Sequence, residues 1–324
     1  MVSVGYFLSS EEHGPRELVE QAKRAEQAGF ERLWISDHFH PWTGEQGNSP
    51  FVWSVIGALS QAVSLPITTA VTCPTVRIHP AIIAQAAATA AVQCEGRFVL
   101  GVGSGEALNE HILGDPWPPG PRRLEMLEEA VEVIRKLHTG EQITHYGKHY
   151  TVEQARIYTL PEQPVPIHVS AFGPKTARRL APIADGFATV MPDGELVHSY
   201  REAGGRGPVQ GGFKVCWADS AEQARQTAHR LWASDLLPGS LGRILPTPRD
   251  FEQAVPVVTE EQVAGQIPCG PDADSHAQAV RQFADAGFDE VYVSQIGPEK
   301  DKFFDAWSSK VLPQLSGAGA GGPV

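Results

Sequence analysis

Ser36-Asp37-His38-Phe39-His40-Pro41-Trp42 puts a carboxylate next to an imidazole, with an indole four residues on. A histidine titrates near neutral pH and serves as a base, and a neighbouring carboxylate can tune it. Trp42 offers a flat apolar wall. The plainer alternative is that His38 packs under a loop and Asp37 caps a turn. A second run reads Gly101-Val-Gly-Ser104-Gly105-Glu106-Ala-Leu-Asn109-Glu110. Its three glycines let a ligand approach the backbone closely. Glu106 and Asn109, three apart, share a face if a helical turn starts there. The phosphate-loop ending GK[ST] is missing, and Glu106 could simply be a helix-start carboxylate.

Two further stretches could meet a ligand. Gly173-Pro174-Lys175-Thr176 opens a helix with Arg178 and Arg179 close behind. Helix N-terminal amides plus cations make an anion site; a solvated basic face is the alternative. In Ala70-Val71-Thr72-Cys73-Pro74 the backbone of 70–72 could lie against a planar ligand. Cys73 has no base partner nearby and is not read as a nucleophile.

These positions matter only if the fold brings them together. Short β-rich runs alternate with helical runs along the chain. Strands are expected at Val2–Leu8, Leu33–Ile35, Ile67–Val71, Phe98–Val102, Ile167–Ala171, Phe187–Val190, Phe213–Trp217 and Val291–Val293. Helices are expected at Pro15–Ala28, Phe51–Ala62 and Pro80–Gln93 from their apolar spacing and first-turn prolines. Ala28-Gly-Phe-Glu-Arg-Leu-Trp-Ile-Ser36 is echoed by Ala286-Gly-Phe-Asp-Glu-Val-Tyr-Val-Ser294. Each is a helix end, a glycine turn and a buried strand. Repeated units of this kind predict a parallel sheet. Eight predict a closed (β/α)8 TIM barrel, which needs about 250 residues. The excess fits insertions at 108–121, a hairpin around Tyr146–Gly147–Lys148, and 233–268. The expected organisation is a single barrel domain over residues 1–315 with a flexible tail at 316–324. In such a barrel chemistry sits where strands end, and all four stretches above follow strand ends.

Composition narrows the class. Of 324 residues, 26 are basic and 38 acidic, a net charge of −12. That argues against nucleic acid or an anionic membrane as partner. No apolar run is long enough to span a bilayer. The first residues lack a basic segment followed by an apolar one, so no signal peptide is expected. The four cysteines form no CxxC pair, so neither a zinc site nor a disulfide framework is expected. A cytoplasmic protein with a small-molecule substrate follows.

The motifs at 36–42 and 101–110, with Ala184-Asp-Gly-Phe187, resemble the luciferase-like flavin and deazaflavin oxidoreductases. The branch is that of the F420-dependent glucose-6-phosphate dehydrogenases, and the likeness runs from about Val4 to Leu315. The resemblance implies a TIM barrel that holds coenzyme F420 at its C-terminal face. It implies His38 as catalytic base, Trp42 shaping the reacting site and Glu106 protonating the reduced ring, with Asp37, Ser104, Gly105 and Asn109 helping to bind. It implies a bulged, often cis, non-proline peptide at Ala70–Val71 backing the ring beside Thr72. Gly173, Pro174 and Lys175 would take the phosphate tail. A homodimer is expected of the family. One departure concerns substrate. The sugar-phosphate enzymes carry a phosphate-gripping lysine after strand six, where this chain has Val190-Met-Pro-Asp193-Gly-Glu195. Acids repel phosphate, so an alcohol-type substrate is expected rather than glucose 6-phosphate.

Three alternatives stand beside this reading. The first is an FMN monooxygenase or reductase of the same fold. The second is a non-catalytic flavin carrier, which would have no use for Asp37, His38 and Glu106 as proton-handling groups. The third is a metal-dependent barrel hydrolase, disfavoured because its His-x-His does not follow the first strand.

Overall fold

A computed structural model describes residues 2–316; the expected tail falls almost entirely outside the described residues. Ten strands are present: β1 (Ser3–Leu8), β2 (Leu33–Ile35), β3 (Ile67–Thr69), β4 (Phe98–Val102), β5 (Ile143–Tyr146), β6 (Thr151–Ala155), β7 (Ile167–Ser170), β8 (Gly186–Thr189), β9 (Val209–Val215) and β10 (Glu290–Gln295). Eight close a parallel barrel in the order β1-β10-β9-β8-β7-β4-β3-β2. The antiparallel pair β5–β6 is the hairpin expected around Gly147. This is the (β/α)8 barrel that the repeated units call for.

The repeated turn explains how helices feed strands. The helix Pro15–Ala28 stops at Gly29, whose φ is +95°. Phe30 N then donates to Ala25 O, and the Phe30 ring is buried in the core. Gly287 (φ +91°) and Phe288 repeat the device before β10. Only glycine takes this left-handed position at little cost.

Side chains alternate along each barrel strand. Leu33 and Ile35, Leu100 and Val102, and Val291 and Val293 face the helices and form the main core. Inward positions fill the barrel. At the bottom, Gln210 Nε2 donates to Glu290 Oε2 (2.6 Å), and Gln210 Oε1 accepts from Trp34 Nε1 (3.3 Å). Tyr292 OH also donates to Glu290 Oε2 (2.6 Å). Above this network Phe7, Trp34, Ala188 and Tyr292 form an apolar plug, with Trp34 and Tyr292 stacked at 4.4 Å. One layer higher, at the strand C-termini, most inward positions become small, namely Ser9, Ser36, Ala70, Gly103, Ser170 and Ser294, with Val190 and Lys214 the larger ones. An aromatic floor under a ring of mostly small residues leaves room at that mouth.

β9 begins four residues before the expected Phe213, because Gln210-Gly-Gly212 belongs to it. A Cβ on Gly211 would collide with the Phe283 ring, and one on Gly212 with the Trp34 ring. The insertion 233–268 is a chain of short helices over a second core, in which Trp232 and Leu237 are buried with Phe251 and Val263. Most of its apolar residues are therefore covered by the chain itself, whereas Ile244 and Val257 are exposed.

Candidate active site

The mouth is assembled by loops that follow β1 to β4. Asp37 comes directly after Ser36 at the end of β2. Its side chain is fully buried, accepting from Thr72 Oγ1 (2.8 Å) and from Arg77 Nη2 (2.7 Å). Arg77 N in turn donates to Glu110 Oε2 (2.7 Å). This ties the ends of β2, β3 and β4 together around one buried guanidinium. Burial pushes the Glu110 carboxyl above its usual range, and the charges of Asp37 and Glu106 add to that, against the pull of Arg77. Neither Arg77 nor Glu110 was singled out from the sequence. Their partners lie 33 to 40 residues away, so no local pattern marks them.

Asn109 closes the same gap from above. Its Oδ1 accepts from the backbone N of Phe39 (2.8 Å) and of His40 (3.2 Å). His40 Nδ1 sits 2.9 Å from Leu108 O. The two loops carrying His38 and Glu106 are thus bonded directly to each other. Both residues stand at the C-terminal end of the barrel, as the sequence requires.

His38 is mostly shielded, its side chain 13% accessible. Its ring meets Trp42 edge-on at 5.1 Å, and Trp42 leans on Phe251 of the insertion at 5.2 Å. Glu11 Oε1 lies 3.3 Å from His38 Nδ1. Glu11 is buried, and its other oxygen accepts from Ser9 Oγ (2.8 Å) and Ser36 Oγ (2.9 Å). A carboxylate is thus held in place facing one imidazole nitrogen. Glu11 was missed in the sequence, although it follows β1 just as Asp37 follows β2.

Glu106 occupies the N-cap position of the short helix Ala107–Glu110 without capping it through its side chain. Its carboxylate has no hydrogen-bond or ion-pair partner among the described residues, and it is partly exposed. Ser104 and Gly105 precede it. Gly105 has φ +75°, and a Cβ there would meet Cys73 Sγ and Glu110 Cγ. Cys73 is buried, and burial pushes its thiol well up.

The wall beside β3 is the Ala70–Val71 peptide, which is cis. Thr72 N donates to Gly101 O (2.9 Å), and Gly103 N donates to Thr72 O (3.0 Å). A Cβ on Gly103 would press Val71 Cγ2 at 2.6 Å. The glycines of the 101–105 run are therefore what lets Val71 stand where it does.

The stretch after β7 is more open. Gly173 precedes the helix Pro174–Leu180, and a Cβ on it would touch nothing. Lys175 is exposed with no ion-pair partner among the described residues. Arg179 makes two 2.6 Å bonds to Glu128, and Arg178 approaches Glu202 at 3.4 Å. Of the three cations in that stretch, two are balanced within the chain. Around the mouth several apolar side chains are about half exposed: Phe39, Phe172, Val190 and Met191.

The luciferase-like monooxygenase family model matches residues 2–290. The chain belongs to this family. Within it, the F420-dependent glucose-6-phosphate dehydrogenase of Intrasporangium calvum is 34% identical, over 98% of this chain and 100% of its own. That of Nakamurella multipartita is 35% identical, over 97% and 96%. A solved F420-dependent secondary alcohol dehydrogenase, in complex with an F420-acetone adduct, is 31% identical. It superposes with a TM-score of 0.88 over 97% of this chain and 99% of its own. The F420-dependent tetrahydromethanopterin reductase of Methanopyrus kandleri, at 22% identity and a TM-score of 0.75, shares the fold. Family membership agrees with the barrel.

Proposed function

We propose that this chain is a coenzyme-F420-dependent oxidoreductase that moves a hydride between a small alcohol-type substrate and the deazaflavin. The observation that carries the reading is the mouth itself. His38, held by Glu11, and the unpartnered Glu106 stand on loops bonded to each other. Below that mouth lie the stacked rings of Trp34 and Tyr292, under strand-end positions that are mostly small. This is where the reading seats the planar tricyclic ring. The cis Ala70–Val71 peptide and Gly103 offer a flat backbone wall, and Phe39 and Phe172 offer exposed apolar edges. Asn109 and Ser104 would hold the ring side, with Asp37 and Thr72 fixing the wall; Gly173, Pro174 and Lys175 would receive the phosphate tail.

When bound, F420 supplies the hydride acceptor. This chain's residues do the rest. His38 has its Nδ1 turned to Glu11, which leaves Nε2 to take the proton of the substrate hydroxyl. Glu11 stabilises the imidazolium that results. Glu106, whose carboxylate has no partner among the described residues, would deliver a proton to the ring. Trp42 closes the apolar wall and excludes water.

Alcohol-type substrates are favoured over sugar phosphates by the loop after β8. There Val190 and Met191 are exposed, and Asp193 caps its own helix by accepting from Glu195 N and Leu196 N. No cation stands in that loop to meet a phosphate. The likeness to the secondary alcohol dehydrogenase supports the same choice. Unpaired thiols at Cys73, Cys94, Cys216 and Cys269 support a reducing, cytoplasmic setting. A homodimer is proposed as well, supported by the half-exposed apolar Ile82 and Val92 on the helix Pro80–Gln93. The test is to titrate F420 by fluorescence quenching and then follow its reduction with secondary alcohols and with glucose 6-phosphate. Binding of F420 with alcohol turnover is expected. Turnover confined to the sugar phosphate would overturn the substrate choice.

A further inference from the structure

Lys214 faces the mouth. Along β9, Val209 and Val215 belong to the helix-facing core and Phe213 stacks on Phe283, so these positions point outward. Gln210 joins the network inside the barrel, and Gly212 abuts the inward Trp34 ring. Period-two alternation then turns Lys214 inward, one layer above Trp34, at the level of Ser294 on the neighbouring strand. The other inward strand-end positions are serine, alanine, glycine or valine, so Lys214 is the one charged side chain in that layer among the described residues.

This ammonium is already engaged. Its Nζ donates to Asp235 Oδ2 at 2.6 Å and lies 3.9 Å from the centre of the Trp232 ring. The Lys214 side chain is 16% accessible and that of Asp235 30%. Neither has another ion-pair partner among the described residues. Asp235 comes from the first turn of the insertion, the 3-10 turn Ala233–Leu236 that follows the helix Ala221–Trp232. The insertion therefore reaches over the rim and neutralises the cation that a phosphate or carboxylate entering the mouth would seek.

We propose that Asp235 is a specificity-determining residue: by occupying Lys214 it restricts the mouth to uncharged substrates. The inference deepens the oxidoreductase reading and rests on it for the identity of the reaction, but not for the charge preference. With Asp235 in place, an anion must either displace a carboxylate from Lys214 or sit beside that carboxylate. Both cost free energy. With Asp235 removed, Lys214 becomes a half-buried, unpaired cation at the strand end, which is an anion subsite.

Calorimetric titration of inorganic phosphate into the coenzyme-free protein tests this without relying on activity. Wild type, Asp235→Ala and the double variant Asp235→Ala/Lys214→Gln are compared. Asp235→Ala is expected to bind phosphate about tenfold or more tightly than wild type, and the double variant to return to the wild-type level. Should Asp235→Ala fold poorly, Asp235→Asn removes the charge while keeping the shape, and a smaller gain is expected. In turnover with F420, the ratio of kcat/KM for glucose 6-phosphate to that for a neutral secondary alcohol should rise by a similar factor, through KM. Equal phosphate affinity in all folded variants would overturn the proposal, as would a gain that survives loss of Lys214. Failure of the oxidoreductase reading would show separately, as no quenching of F420 fluorescence by wild type.

Discussion

Glu11 Oε1 lies 3.3 Å from His38 Nδ1, while the same carboxylate is anchored by Ser9 and Ser36 through its other oxygen. A buried acid held by two hydroxyls cannot swing away when its imidazole changes charge. His38 thus has a carboxylate facing one nitrogen and, among the described residues, nothing bonded to the other, which suits a directional base.

The first prediction concerns this pair. Glu11→Gln keeps the shape and removes the charge that stabilises the imidazolium. kcat should fall by about one to two orders of magnitude with little change in KM for F420, and the acidic limb of the pH profile, where the base becomes protonated, should move. An unchanged profile would mean that Glu11 only fills space.

Glu106 is assigned the opposite proton. Glu106→Gln should lose one limb of the pH dependence of kcat while coenzyme affinity, read by fluorescence quenching, changes little. A pH profile that keeps both limbs would take the proton role away from Glu106.

Arg77 is the structural keystone of the mouth. Its side chain is 6% accessible and serves two fully buried carboxylates, Asp37 and Glu110. Arg77→Met removes the guanidinium from both carboxylates, leaving Asp37 with Thr72 Oγ1 and Glu110 with the backbone N of residue 77. Denaturant unfolding should show a loss of about 3–5 kcal/mol. F420 affinity should fall too, because the loops after β2, β3 and β4 lose their common tie. A stable variant with intact coenzyme binding would show that the network is dispensable.

How much of this was legible beforehand depends on range in the chain. The Gly-Phe turns and buried strands announce the barrel, since each unit is local and its pattern repeats. The sequence pattern starts β9 four residues late because Gly211 and Gly212 depress strand propensity. They are glycines for a long-range reason: the Phe283 and Trp34 rings occupy their side-chain space. Asp37, His38, Glu106 and Asn109 were visible because they cluster in motifs at strand ends. Glu11, Arg77 and Glu110 act through partners far away in sequence, and only the folded barrel brings them together. The basic run 175–179 looked like one anion site, yet Glu128 and Glu202 take two of its cations.

Acid stability offers an independent check on the packing. His276 is fully buried between Trp217 and Trp307, with Nε2 3.0 Å from Gly270 O. Burial lowers its pKa below the usual histidine value, partly offset by that carbonyl. The folded state therefore prefers the neutral ring. The stability this contributes is present above the unfolded value of about 6.5 and is lost as pH falls below it toward the folded one. His276→Gln should be less stable at neutral pH and show a flatter fall in Tm between neutral and mildly acidic pH. A slope equal to that of wild type would mean His276 does not titrate on unfolding.

The central claim is that His38 acts as the base in an F420-dependent alcohol oxidation. It is tested most directly by following the loss of oxidised F420 absorbance with a secondary alcohol, at saturating coenzyme, in wild type and His38→Ala. The account predicts turnover by wild type and a rate about 10²- to 10⁴-fold lower in the variant, with F420 still bound. Equal rates in the two proteins, or a wild type that binds F420 and never reduces it with any alcohol, would contradict it.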